Sequence, residues 1–231
     1  MNNILKQTID LIILREIGEN QTPTQQVNIF LDADGVICDF QKGIADNTGG
    51  DTNKNKIAFD KLLSQFPEFV DLADDELKKR LAGPQTNPGL KALKKAWQSY
   101  RNQKYAVAGM PGFFLNLPIM PGAKEMVQQI ISLTGKKPAI LTAPIEGDTA
   151  QCEAEKRQWF ETNMAGLYDG FFCTQNKEAY ANANAILIDD RTKYTSKFEA
   201  AGGTAILHTS PADTIQKLKQ ILMDRGIQIQ P

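Results

Sequence analysis

The chain has one histidine, three cysteines among 231 residues, and no excess of either charge: 26 Lys+Arg against 27 Asp+Glu leave a net charge of -1. A near-neutral balance points to no particular partner. Cys38, Cys152 and Cys173 make an odd count without ligand-like or disulfide-like spacing, so they read as reduced thiols in or near the core, and a cytoplasmic setting is expected. The run Ile4 to Ile17 is interrupted by Lys6, Asp10 and Arg15, and no small-residue cleavage site follows it. That excludes a signal peptide and a membrane span, and no membrane partner is expected. Leu5, Ile9, Ile12 and Ile13 fall instead on one helical stripe, which predicts an amphipathic helix packed on its own domain or on a partner, with a homodimer left open. Repeats and low-complexity tracts are absent. With 42% hydrophobic and 23% charged residues, what remains is an ordinary globular composition, enough for one large or two small domains.

Short β-like runs alternate with helical periodicity, which predicts an α/β fold: a Rossmann-like parallel sheet flanked by helices. The expected strands are Val27 to Leu31, Pro138 to Thr142, Gly170 to Thr174, Ala185 to Ile188 and Thr204 to Leu207. Ala123, Met126, Val127, Ile130 and Ile131 form one apolar helical face behind Pro121, expected in that helix's first turn. Ser210-Pro211 with Asp213 opens a last helix carrying Ile215, Leu218 and Leu222, which Gly226 ends.

From about Asp46 to Gly109 no strand is expected. Asp74 to Leu81, and Leu90, Leu93, Trp97 and Tyr100, sit at helical spacing, so this stretch reads as a small helical cap inserted in the core. The expected organisation is a helix and linker over 1–26, a core of 27–45 with 110–231, and a cap over 46–109. Residues 78 to 104 hold eight basic side chains and no Asp or Glu. Two readings stand: a solvated helix face after the acidic Asp71 to Glu76 segment, or a surface that attracts phosphate-bearing substrates.

The most informative stretch is Ile29-Phe30-Leu31-Asp32-Ala33-Asp34-Gly35-Val36, an apolar strand ending in two carboxylates at the sheet's carboxyl edge, where open α/β sheets bind ligands. Asp32 as nucleophile would attack phosphorus to give an aspartyl-phosphate. Asp34 would protonate the leaving alkoxide and later activate water. Two carboxylates facing a phosphate repel by several kcal/mol at close range, at an effective dielectric near ~20, so cations must offset them. Ala185 to Ile188 leads into Asp189 and Asp190, which bring hard oxygen ligands suited to Mg²⁺ shared with Asp32. Thr142 ends another strand with a hydroxyl suited to a phosphate oxygen, beside Ala143. Lys156 would neutralise the nucleophile and the transition-state charge, with Lys177 as its rival. His208 reads as structural, because Asp34 already fills the role of base.

Asp32-Ala33-Asp34-Gly35-Val36, Thr142, Lys156 and Asp189-Asp190 resemble, in order, the four motifs of the haloacid dehalogenase (HAD) superfamily of phosphohydrolases. Finer strings resemble its 5'(3')-deoxyribonucleotidase branch: Asp39-Phe40, Gly112-Phe113-Phe114 through Leu117-Pro118, Met120 to Ala123, Thr142 to Ile145, Glu155-Lys156 with Trp159, and Leu187 to Arg191; the Glu155-Lys156-x-x-Trp159 context favours Lys156 over Lys177. The resemblance implies Asp32 as nucleophile and Asp34 as acid/base, with Mg²⁺ on Asp32, the backbone carbonyl of Asp34, and Asp189. It implies Asp190 as a supporting carboxylate and Phe40 as an aromatic lining the nucleobase side of the pocket. Phe40 equally fits a core position. Ala143 replaces a common Ser and Glu146 a common Lys. The expected activity is Mg²⁺-dependent hydrolysis of nucleoside monophosphates, above all deoxynucleotides. Another small phosphomonoester such as a sugar phosphate, or a non-catalytic binding role, are the alternatives; a nucleic-acid partner is disfavoured.

Overall fold

The structure, a computed structural model, describes residues 27–48, 51–70, 72, 74–145 and 149–227, with backbone alone for 51–53, 74 and 75. The expected N-terminal helix, Asp71 and Glu146 lie outside the described residues. Five strands form one parallel sheet: β1 (Asn28–Leu31), β2 (Ala139–Thr142), β3 (Phe171–Cys173), β4 (Ala185–Asp189) and β5 (Thr204–Leu207), in the order β3-β2-β1-β4-β5. All four pairings are parallel. Every residue of β4 is buried, and Ala185 to Ile188 are apolar without a break, as in strands covered on both faces. Each strand falls within a residue or two of its expected run.

After β1 the chain first forms α1 (Phe40–Thr48), α2 (Asp51–Leu63), α3 (Pro67–Val70), α4 (Asp74–Arg80) and α5 (Pro88–Ala108), with no strand among the described residues before β2. Asn87 caps α5, its side chain accepting from the Gly89 and Leu90 amides, and Pro88 opens the helix. Leu93 and Trp97 of α5 close with Phe59, Leu77 and Leu81 into a separate apolar core. The expected division at residue 46 cuts through α1, whose Phe40 and Ile44 belong to the main core. Asp39 holds the start of α1, its Oδ1 accepting from the Lys42 amide at 2.9 Å.

The sheet is flanked by α6 (Ala123–Thr134), α7 (Thr149–Asn163), α8 (Thr192–Ala200) and α9 (Pro211–Asp224). On α6, Met126, Val127, Ile130 and Leu133 are buried against the sheet, each side chain contributing about 1.5–3 kcal/mol by leaving water. Pro121 lies ahead of this helix rather than in its first turn. Gly122, at φ 77°, adopts a left-handed conformation that delays the helix to Ala123. No helix among the described residues is long and apolar enough to cross a membrane.

Candidate active site

Register assembles the site. Leu31 pairs with Ile140 on one side and Ile188 on the other, so the residues that follow, Asp32 and Asp189, emerge beside one another at the carboxyl edge, near the end of β2 at Thr142. The Asp32 amide donates to Ile188 O at 2.9 Å. A tight loop then turns the chain: the Ile37 and Cys38 amides both donate to Ala33 O, and Gly35 N donates to Cys38 O. Gly35 has φ +84°, and a Cβ there would lie 2.3 Å from Asp190 Oδ2. Glycine thus permits both the turn and the close approach of Asp190.

Beneath the cavity floor lie two lysines, 2% and 0% exposed, one for each carboxylate of the Asp-x-Asp pair. Lys156 Nζ donates to Asp34 Oδ2 at 2.6 Å, Thr142 Oγ1 at 3.0 Å and Ala143 O at 2.9 Å. Lys177, first residue of a short 3₁₀ turn (Lys177–Tyr180), donates to Asp32 Oδ1 at 2.7 Å and Asp189 Oδ2 at 2.6 Å. The structure therefore reverses the expected preference between the two: Lys177 meets the Asp32 carboxylate, and Lys156 meets Asp34. Burial alone would lower both ammonium pKa values, but Asp34 beside Lys156, and Asp32 with Asp189 beside Lys177, hold them above the ordinary lysine value. Both lysines are charged in the folded protein.

Asp32, Asp189 and Asp190 each bring a carboxylate oxygen to within 4.8 Å of the others. One lysine does not offset three acids. Burial, then Asp32, pushes the Asp189 carboxyl up against the pull of Lys177. Asp190 opens onto the cavity yet is hemmed in by protein, and is pushed up to about 7 by that crowding and then by Asp32 and Asp189. Hard oxygen donors crowded to this degree fit a divalent cation such as Mg²⁺. Asp34 is outside that trio: one oxygen is on Lys156, and the other, Oδ1, is shielded from solvent without a hydrogen-bond partner among the described residues.

Above this floor opens a cavity of about 350 Å³, lined by Asp32, Asp34 and Asp190 and by Ala143, Phe40 and Tyr194 among others. Thr142 is fully buried and does not line it; its hydroxyl accepts from Lys156. Phe40 lines the cavity and also packs edge-on against Phe113, at 5.4 Å between ring centroids. His208 is buried, with Nδ1 2.7 Å from Thr214 Oγ1, away from the cavity lining. The three cysteines are unpaired, and burial pushes their thiols up, Cys173 to about 12, so they stay protonated.

This sheet with carboxylates at its carboxyl edge has known parallels. A haloacid dehalogenase-like hydrolase from Xanthomonas campestris superposes over 89% of this chain and 96% of its own, with a TM-score of 0.50 and 12% identity. The fold is that of the haloacid dehalogenase-like hydrolases. In sequence, the chain is 25% identical over 186 residues to the human cytosolic-type 5'(3')-deoxyribonucleotidase, covering 80% of this chain and 81% of that one. It is 27% identical over 168 residues to a putative 5'(3')-deoxyribonucleotidase of Bordetella pertussis, covering 72% and 75%. No protein-family model matches the chain. The protein is thus haloacid dehalogenase-like in fold and nucleotidase-like in sequence.

Proposed function

We propose that this protein is a phosphomonoesterase that uses Mg²⁺ to hydrolyse deoxynucleoside monophosphates through an aspartyl-phosphate on Asp32. The observation that carries this reading is the unlike seating of two carboxylates on one short loop. Asp32 stands at the cavity with one oxygen held by Lys177, and Asp34, two residues on, is oriented by Lys156. Names of the sequence relatives support nucleotides as the substrate class.

Asp32 Oδ forms a bond to phosphorus as the phosphorus–oxygen ester bond breaks, and Asp34 passes to the leaving alkoxide a proton that it takes from the monoanionic phosphate ester. Water then attacks the same phosphorus, Asp34 takes its proton, the acyl-phosphate bond breaks, and inorganic phosphate leaves with Asp32 restored. Lys177, through its hydrogen bond to Asp32 Oδ1, keeps that side chain aimed at phosphorus. Lys156, donating to Asp34 Oδ2, keeps Asp34 within reach of the leaving group. Asp32, Asp189 and Asp190 would hold Mg²⁺, which supplies a Lewis acid to the phosphoryl oxygens. Residues 46–109 act in this reading as a cap that limits water around the acyl-phosphate, and the three thiols belong to a reducing cytoplasm.

The test is phosphate release from a panel of deoxynucleoside monophosphates, ribonucleoside monophosphates and sugar phosphates, with Mg²⁺ or with a chelator. Release from the deoxynucleotides that stops on chelation is the expected result. Turnover confined to sugar phosphates would replace the substrate, and turnover indifferent to the chelator would remove the metal.

A further inference from the structure

The reaction above needs cations only at the floor of the cavity, where Lys156, Lys177 and the acidic trio already match one phosphate group. The opposite wall is cationic as well. Lys78 of α4 and Arg101 and Lys104 of α5 line the cavity from the helical side, and no acidic residue occurs between positions 78 and 104. Arg191 and Lys193, around the start of α8, line it too. Carboxylates on the lining come from the other side: Asp32 and Asp34 after β1, Asp39 at the head of α1, and Asp190 after β4.

Two of the helical-side cations, Arg101 and Lys104, lie over aromatic rings. The Arg101 guanidinium lies 4.7 Å from the Tyr105 ring centroid and 5.6 Å from that of Trp97, and Lys104 Nζ lies 5.2 Å from that of Phe40. Aromatic faces under the cationic heads fix their position at the wall, which lowers the entropic cost of gripping an anion. One phosphate over Asp32 does not call for this second positive wall.

We propose that the cavity takes a substrate with two phosphate groups, one over Asp32 and the second against Lys78, Arg101 and Lys104. This rests on Asp32 as the point of phosphoryl attack and narrows the substrate from a nucleoside monophosphate to a nucleotide with a further phosphate at the far end of its sugar. A cavity of about 350 Å³ suits a single nucleotide unit. The second phosphate is either a terminal monoester or the diester of a short oligonucleotide.

The experiment compares kcat/KM for a deoxynucleoside 5'-monophosphate, the corresponding 3',5'-bisphosphate and a 5'-phosphorylated dinucleotide, in the wild type and in the Arg101→Gln/Lys104→Gln variant. Charge-assisted contacts to the second phosphate predict that the bisphosphate exceeds the monophosphate by at least about tenfold and that the ratio falls towards one in the variant. A dinucleotide used as well as the bisphosphate assigns the second phosphate to a diester; one used only like the monophosphate assigns it to a terminal monoester. Equal use of monophosphate and bisphosphate by the wild type overturns the inference while leaving the nucleotidase reading intact. Loss of both substrates in equal proportion in the variant also overturns it, because the cations then serve the scissile phosphate. Lys78→Gln, on an exposed helix face, applies the same ratio test should the double variant not fold. If no nucleotide is hydrolysed, the nucleotidase reading fails, and calorimetric titration of Asp32→Asn with the same two nucleotides decides the inference. Tighter binding of the bisphosphate supports it, and equal or absent binding overturns it.

Discussion

Lys177 carries two carboxylates, Asp32 and Asp189, in a fully buried ion triad. Removing one member of such a cluster leaves uncompensated charge, which costs more than the intact cluster contributes. Lys177→Met in metal-free protein is therefore expected to lose about 3–5 kcal/mol of stability by urea denaturation, with part of the loss restored by millimolar Mg²⁺. Asp190 gives a prediction in pH. Its folded pKa is raised to about 7, so its ionised form is a stability penalty, fully present above that value and fading as pH falls towards the ordinary carboxylate range. Asp190→Asn should then stabilise the metal-free protein at pH 8 by about 1 kcal/mol, since the group's contact with solvent screens most of the interaction, and by much less at pH 5. An effect of the same size at both values would show that the carboxyl is not crowded. At this scale the placement of Asp32 and Asp34 just beyond β1 was legible, because a strand followed by Asp-x-Asp-Gly is a local pattern. The choice between lysines was not. Glu155 and Trp159, whose company favoured Lys156, are occupied in packing: Trp159 Nε1 donates to Leu117 O at 2.8 Å, and Glu155 accepts from the backbone at Gly112. Lys177 meets Asp32 across 145 positions of sequence, a pairing that no local pattern signals.

Helix α7 fastens the segment by which the chain returns from the helical insertion to the sheet. The buried Glu155 carboxylate accepts from Gly112 N at 2.7 Å, Phe114 N at 3.1 Å and Gln151 Nε2 at 2.9 Å. Glu155→Ala orphans two backbone donors and is expected to cost about 2–4 kcal/mol, whereas Glu155→Gln, which keeps one acceptor oxygen, should cost about half as much. Denaturant titration distinguishes them, and equal costs would mean that the side chain fills space rather than accepting hydrogen bonds. Elements themselves were readable from periodicity. The runs Ile29 to Leu31 and Ala185 to Ile188 are apolar without interruption because both faces of the sheet are covered, and the α6 face repeats at helical spacing. Ends were less readable: α1 runs through residue 46 because Phe40 and Ile44 pack into the main core, a tertiary preference.

At the scale of the whole molecule, an apolar core around the sheet and a smaller one among α2, α4 and α5 border a cavity whose floor is acidic and whose helical wall is basic. The charge-free-of-acid stretch from 78 to 104 was visible in sequence; that Lys78, Arg101 and Lys104 of that stretch face the cavity depends on how the helices pack. The proposed reaction turns on an Asp32 carboxylate oxygen bonding to phosphorus. Its most direct test is phosphate release from a deoxynucleoside monophosphate in Mg²⁺ by the wild type and by Asp32→Asn, with circular dichroism establishing that both are folded. Steady release by the wild type and a fall of at least about a thousandfold in the variant are expected. Release by folded Asp32→Asn at the wild-type rate would contradict the proposed reaction.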